Sequence, residues 1–126
     1  MKLDEFIVYR MAMEMGEEIW KVVVNWDYFA KDTIGKQFVR AIDSVASNLL
    51  EGLGRYHYRE AKNFSYYSRG SLYETKTWLT KAHNRNLIET EDYHRISASL
   101  ESIGVKINNY INSIGKTPNP NTSGNN

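Results

Sequence analysis

The chain contains no cysteine, and its two prolines, Pro118 and Pro120, both lie within the last nine of its 126 residues. The first absence excludes disulfides, thiolate metal sites and a cysteine nucleophile. The second leaves residues 1–116 without a helix breaker of that kind. Long apolar runs are also missing: Val22-Val23-Val24 is typical and the longest, with Tyr counted, is Phe6-Ile7-Val8-Tyr9, far short of the ~18 residues of a spanning helix, so no membrane partner is expected. Neither charge sign dominates, with 16 bases against 15 acids and a formal net charge of +1, so bulk electrostatics names no partner. What is present is ordinary for a soluble globular chain, 41% apolar and 25% charged residues. The opening Met1-Lys2-Leu3-Asp4-Glu5 carries acids where a secretory signal carries bases, and a cytoplasmic location is the expectation.

The apolar periodicity is helical throughout. A first helix is predicted from Leu3 to Trp26, with Val8, Ala12, Met15, Ile19, Val22 and Trp26 on one face. Beside it Phe6, Met13 and Trp20 form a second apolar row at spacing seven. A peripheral bundle helix needs an apolar stripe only about 100° wide. The extra row predicts burial on two sides. A second helix is expected from Asp32 or Thr33, carrying Ile34, Phe38, Ile42, Val45, Leu49 and Leu53 inward and ending at Gly52 and Gly54. The third should span Tyr58 to Asn86, with Ala61, Phe64, Ser68, Ser71, Leu72, Thr75, Trp78, Leu79 and Ala82 inward. Gly70, in its middle, costs about 1 kcal/mol relative to Ala, which close approach of a neighbouring helix would offset. The fourth should start at Thr90 as N-cap, with Glu91 and Asp92 in its first turn. Tyr93, Ile96, Leu100, Ile103, Ile107, Tyr110 and Ile114 then follow in alternating steps of three and four, a bundle seam. Four helices with short connections read as an all-α, antiparallel up-down-up-down four-helix bundle over residues 1–115. Residues 116–126, rich in Asn, Pro, Thr and Gly, are expected to be a disordered tail.

Enzymatic chemistry is not expected. Glu91-Asp92-Tyr93-His94 is the sole Glu-x-x-His and falls in a first helical turn, whereas a di-iron bundle needs two such motifs at mid-helix. His57 and His83 have no second ligand at metal spacing, and no phosphate-binding glycine loop or G-x-S-x-G elbow occurs. No metal and no cofactor are therefore called for.

Two polar constellations remain. On the second helix Arg40, Ser44, Asn48, Glu51 and Arg55 form one line, with Glu51 four residues before Arg55 in the favourable order for an ion pair. It reads either as a solvated face or as a buried or interfacial hydrogen-bond network reaching Ser71 and Glu74. On the third helix Arg59, Lys62, Tyr66, Arg69, Tyr73 and Lys76 alternate at steps of three and four, and the positive excess of the chain is concentrated there. Phosphates attract such cations, and unpaired bases stack on tyrosines. The alternatives are RNA or DNA contact, a solvated basic face whose tyrosines pack against a neighbouring subunit, or a protein–protein adaptor whose third-helix tyrosines meet a partner with no nucleic acid involved.

The run Gln37-Phe38-Val39-Arg40-Ala41-Ile42-Asp43-Ser44-Val45-Ala46-Ser47-Asn48-Leu49-Leu50-Glu51-Gly52, followed by Arg55, resembles the signature of the four-helix-bundle proteins encoded in intervening sequences of bacterial 23S rRNA genes. That family, once labelled ribosomal, includes accessory proteins of diversity-generating retroelements. Phe64, Gly70-Ser71, Glu74 and Leu87-Ile88 fit its downstream pattern, and the likeness runs from about Phe6 to Asn112. Ala46 and Leu50 depart from it, standing where the family often has Pro and Ala. The resemblance implies a ring-like homopentamer and a non-catalytic role with structured RNA or a reverse transcriptase. The retroelement relatives are distinctly basic and this chain is nearly neutral.

Overall fold

A computed structural model describes residues 3–115; the tail read at 116–126 lies outside the described residues. Four main helices account for the fold: α1 (Leu3–Val23), α2 (Lys36–Leu53), α3 (Tyr58–Asn84) and α4 (Thr90–Ser113). Each packs against its neighbours in the chain, and α1 closes the circuit against α4. Connections this short force successive helices antiparallel, giving an up-down-up-down bundle.

The core is one continuous column. Val8, Ala12, Met15 and Ile19 of α1 meet Phe38, Ile42, Val45 and Leu49 of α2, Leu72, Leu79 and Ala82 of α3, and Ile96, Leu100, Ile103 and Ile107 of α4. On α3 the buried row also includes hydroxyls, and each finds a carbonyl. Ser65 Oγ donates to Ala61 O (2.9 Å) and Thr75 Oγ1 to Ser71 O (2.8 Å). Ser68 Oγ crosses to Val45 O on α2 at 2.7 Å. Buried hydroxyls left unpaired would cost about 1–3 kcal/mol each; here none is.

The helix ends differ from the sequence reading for local reasons. α1 stops at Val23, and Val23, not Val22, takes the inner position as the chain turns. Trp26 lies in that turn, buried, its ring stacked on Phe38 at 6.3 Å. The second helical stretch starts earlier than Asp32. Asp27 caps a short turn, Tyr28–Ala30, by accepting from Ala30 N at 2.9 Å. A π-helical segment, Lys31–Gly35, then leads into α2. Ala30, Ile34, Phe38 and Ile42 are all buried at a constant spacing of four; each such step drifts about 40° around an α-helix, and the wider turn offsets that drift. α3 ends before Asn86 because Asn86 takes φ 59° while Leu87 N donates to Ala82 O (2.9 Å) and Asn86 N to His83 O (3.1 Å). That paired geometry is a Schellman stop, with Asn tolerating the left-handed residue. Glu89, not Thr90, is the N-cap of α4, and the Thr90 hydroxyl instead meets His83 Nε2 at 3.3 Å.

Gly70 is corrected outright. It is exposed, and a Cβ built on it would meet nothing within 4 Å. The close approaches lie elsewhere: a Cβ on Gly52 would sit 3.1 Å from Phe64 Cβ and 3.2 Å from Ala61 O, and one on Gly104 3.2 Å from Leu72 Cδ2. With space free and helix on both sides, Gly70→Ala is expected to stabilise the protein by about 0.5–1 kcal/mol. A denaturant midpoint that does not rise, at unchanged slope, would show that the absence of a side chain there is needed.

Candidate nucleic-acid interface

The position of the basic row follows from the core row of α3. Ala61, Ser65, Ser68, Leu72 and Thr75 point inward. Lys62, Tyr66, Arg69, Tyr73 and Lys76 each follow one of them by a single residue, about 100° around the helix, and so flank the seam with α4. Tyr66 and Tyr73 are exposed, whereas Lys62, Arg69 and Lys76 are half-buried along their stems. Arg59 is exposed at the start of the row.

The structure thus brings the six residues together, and it also adds partners from α4. Arg69 Nη1 donates to Asn108 Oδ1 at 3.0 Å, with its guanidinium 5.0 Å from the Tyr66 ring centre. Lys76 Nζ pairs with Glu101 Oε1 at 2.8 Å and lies 5.7 Å from the Tyr73 ring. The Lys76 charge is balanced locally; the Arg69 charge is oriented by a neutral amide and kept. Lys62 and Arg59 have no ion pair among the described residues. Asn108 and Glu101 escaped the sequence reading because nothing in a one-dimensional pattern pairs residues of separate helices. His83, beyond the row, is half-buried and stacked on Tyr93 at 4.2 Å; His57 is exposed.

The polar line of α2 takes the opposite flank. Glu51 and Arg55 form the expected pair at 2.7 Å, and Arg55 also lies 3.9 Å from Glu60 and 4.7 Å from the Phe64 ring centre. Asn48 Nδ2 donates to Ser44 O at 2.9 Å, along its own helix. Ser71 is half-buried and Glu74 exposed, and no side-chain hydrogen bond joins the line to either among the described residues. The internal network does not form within one chain: the Asn48 amide reaches the carbonyl a turn below it more readily than a neighbouring helix. Arg40 and Ser44 instead border an open groove of about 580 Å³ between α1 and α2, which Trp20, Val24 and Val39 also line. Asp43, on the same groove, has its carboxyl pushed above the usual value by partial desolvation and by the nearby Glu17.

The second apolar row of α1 stays outside the core. Phe6, Met13 and Trp20 are exposed, as is Val24. No group of three or more His, Asp or Glu side chains positioned to hold a metal occurs among the described residues, and no described helix is long and apolar enough to cross a membrane.

Comparison with known proteins fits this architecture. One solved relative is a protein with unknown function from the S23 ribosomal protein family of Bacteroides thetaiotaomicron VPI-5482. It superposes with a TM-score of 0.78 at 18% identity, over 87% of this chain and 99% of that one. At that identity the likeness establishes the fold. No curated protein matches the sequence. The family model described as 23S rRNA-intervening sequence protein matches residues 4–109, and with most of the helical bundle inside that match the chain belongs to the 23S rRNA-intervening sequence protein family.

Proposed function

We propose that the protein is a non-catalytic, homo-oligomeric helical scaffold that contacts RNA or DNA through the basic, tyrosine-interleaved face of α3. The observation that carries this reading is the pairing of cations with exposed rings along one face: Arg69 over Tyr66 and Lys76 over Tyr73, with Arg59 and Lys62 unpaired beside them. Phosphate oxygens complement the cations and base faces complement the rings. Assembly of copies, a pentamer by family resemblance, would use the exposed apolar row of α1. It would multiply a modest basic face into a multivalent one, which lets a nearly neutral chain bind a polyanion.

The test is charge removal on the face. Lys62→Glu and Arg69→Glu are combined with Lys76→Gln, the last chosen so that no like charge faces Glu101. Affinity for labelled hairpin RNA and duplex DNA should fall at least about tenfold, and the salt slope should drop by about two. Wild-type protein that binds no nucleic acid at low salt, single-stranded or paired, would end this reading. The apolar groove between α1 and α2 then favours a second one, an adaptor that meets another protein, a reverse transcriptase among the classes the family suggests.

A further inference from the structure

We infer that the turn joining α2 to α3 is a stacking site for unpaired nucleotides, so that single strands, and not duplexes, are the preferred ligand. The inference rests on the nucleic-acid reading above and goes further by naming the place and the ligand class.

The turn reads Arg55-Tyr56-His57-Tyr58-Arg59, five successive basic or aromatic residues. The fold uses these rings only at one edge: Tyr58 lies beside Gly115, its Cδ2 3.4 Å from where a Cβ there would sit. Tyr56 is 91% exposed and Tyr58 64%, and the buried row of α3 starts only at Ala61. Tyr56 stands edge-on to His57 with ring centres 5.1 Å apart, so that the pair projects from the end of the bundle as one aromatic unit. Arg55 is an anchor and not a contact: Glu51 and Glu60 neutralise it, and its guanidinium covers Phe64. One guanidinium balances one of those two carboxylates, so Arg55, Arg59 and Lys62 against Glu51 and Glu60 leave this end of the bundle with a net charge of +1.

Along the row Arg59, Lys62, Arg69 and Lys76, the last is neutralised by Glu101. The far end of α3 carries Lys81 in its last turn, but no exposed aromatic ring lies beside it among the described residues. At the near end Arg59 and Lys62, within one helical turn of the protruding tyrosines, have no acidic partner among the described residues. An excess of cations and exposed rings thus coincide at the same end of the bundle. A duplex offers phosphates to this end but hides its base faces inside the stack; the rings would find nothing to cover them. An unpaired strand offers both, with phosphates against Arg59 and Lys62 and bases against Tyr56 and Tyr58. Stacking of this kind tolerates any base, so little sequence preference is expected.

The experiment compares fluorescent oligouridylate of about 20 nucleotides with a duplex of equal length by anisotropy, using the full chain. Wild-type protein should bind the single strand at least about tenfold more tightly than the duplex. Tyr56→Ala with Tyr58→Ala should lose about tenfold or more on the single strand and change little on the duplex, whereas Tyr56→Phe with Tyr58→Phe should bind like wild type. Both rings are exposed, so circular dichroism should show an intact helical fold in every variant. The inference is overturned if the alanine variant holds the single strand as tightly as wild type while the α3 charge variant releases it; the nucleic-acid reading then survives alone. It is overturned equally if the alanine change alters only the oligomeric mass, since the rings would then be a contact between copies. Wild-type protein that binds neither strand form removes both ideas together.

Discussion

Placing glutamate at Met13 and Trp20 is expected to convert the proposed homo-oligomer into a monomer of 14.6 kDa, with its helical content intact. The expectation comes from the two apolar rows of α1. The inner row, Val8, Ala12, Met15 and Ile19, is buried within the subunit. The outer one is not: Met13 is 48% exposed and Trp20 55%, and Phe6 continues the line. Spacing seven puts these side chains on one side of the helix at intervals of about 10 Å, a ridge of the kind that a neighbouring helix covers. The groove lined by Trp20, Val24 and Val39 lies at the C-terminal end of that ridge. Burying a Met or Trp side chain contributes about 1.5–3 kcal/mol, and a repeating interface does so once per contact. A carboxylate in its place must be desolvated, so the combined change should weaken association by at least about a thousandfold. The check is light scattering after gel filtration at micromolar concentration. A wild-type protein that already elutes as a monomer would assign the ridge to a different partner. An unchanged variant mass would move the contact off α1.

The sequence made the bundle legible because helix burial is periodic. The seam of α4 holds residue for residue at Ile96, Leu100, Ile103, Ile107 and Ile114, with Ile111 added as the helix approaches its end. The inner row of α1 holds to Ile19 and slips by one residue at Val23, where the helix gives way to a turn and periodicity no longer applies. Ser65 was not expected inside, because a hydroxyl resembles surface until its bond to Ala61 O is seen. Glycine misled for a related reason. Gly70, Gly52 and Gly104 look alike in sequence, but only the neighbour in space tells which of them a side chain would crowd. The candidate site was legible as a stripe and not as an electrostatic object. Glu101 and Asn108, which balance one cation and orient another, lie 25 and 39 residues away in sequence. The π-helical entry to α2 is invisible as well, since apolar residues at a constant spacing of four do not say where a wider turn takes up the drift.

Phe38→Ala should cost about 3–5 kcal/mol, the largest stability loss expected of a single truncation here. Phe38 is fully buried and is the bulkiest of the wholly enclosed side chains. Its position explains the size of the effect better than its area does. Trp26 lies beyond the end of α1, so no helical hydrogen bonding carries it into the core; stacking on Phe38 helps to hold it there. Just ahead in the chain, Gly35 packs so closely against Val23 that a Cβ would come within 2.8 Å of its Cγ1. Three pieces therefore meet at this point: the C-terminal end of α1, the π-helical segment and the first turn of α2. Removing the ring opens a cavity between elements that a rigid, closely packed turn cannot collapse to fill. Because domains of this size are stable by only about 5–15 kcal/mol, a substantial share of the total is at stake. At about 4 °C per kcal/mol the melting temperature should fall by about 12–20 °C. Phe38→Leu keeps most of the volume and should cost about 1.5 kcal/mol or less. Melting should be followed at a fixed protein concentration, since assembly would add its own concentration dependence. Tryptophan fluorescence, shared by Trp20, Trp26 and Trp78, offers a second readout, with the Trp26 share of the emission moving to the red as that indole loses its cover. A loss below about 1 kcal/mol, with emission unchanged, would mean that the turn is held by contacts other than this ring.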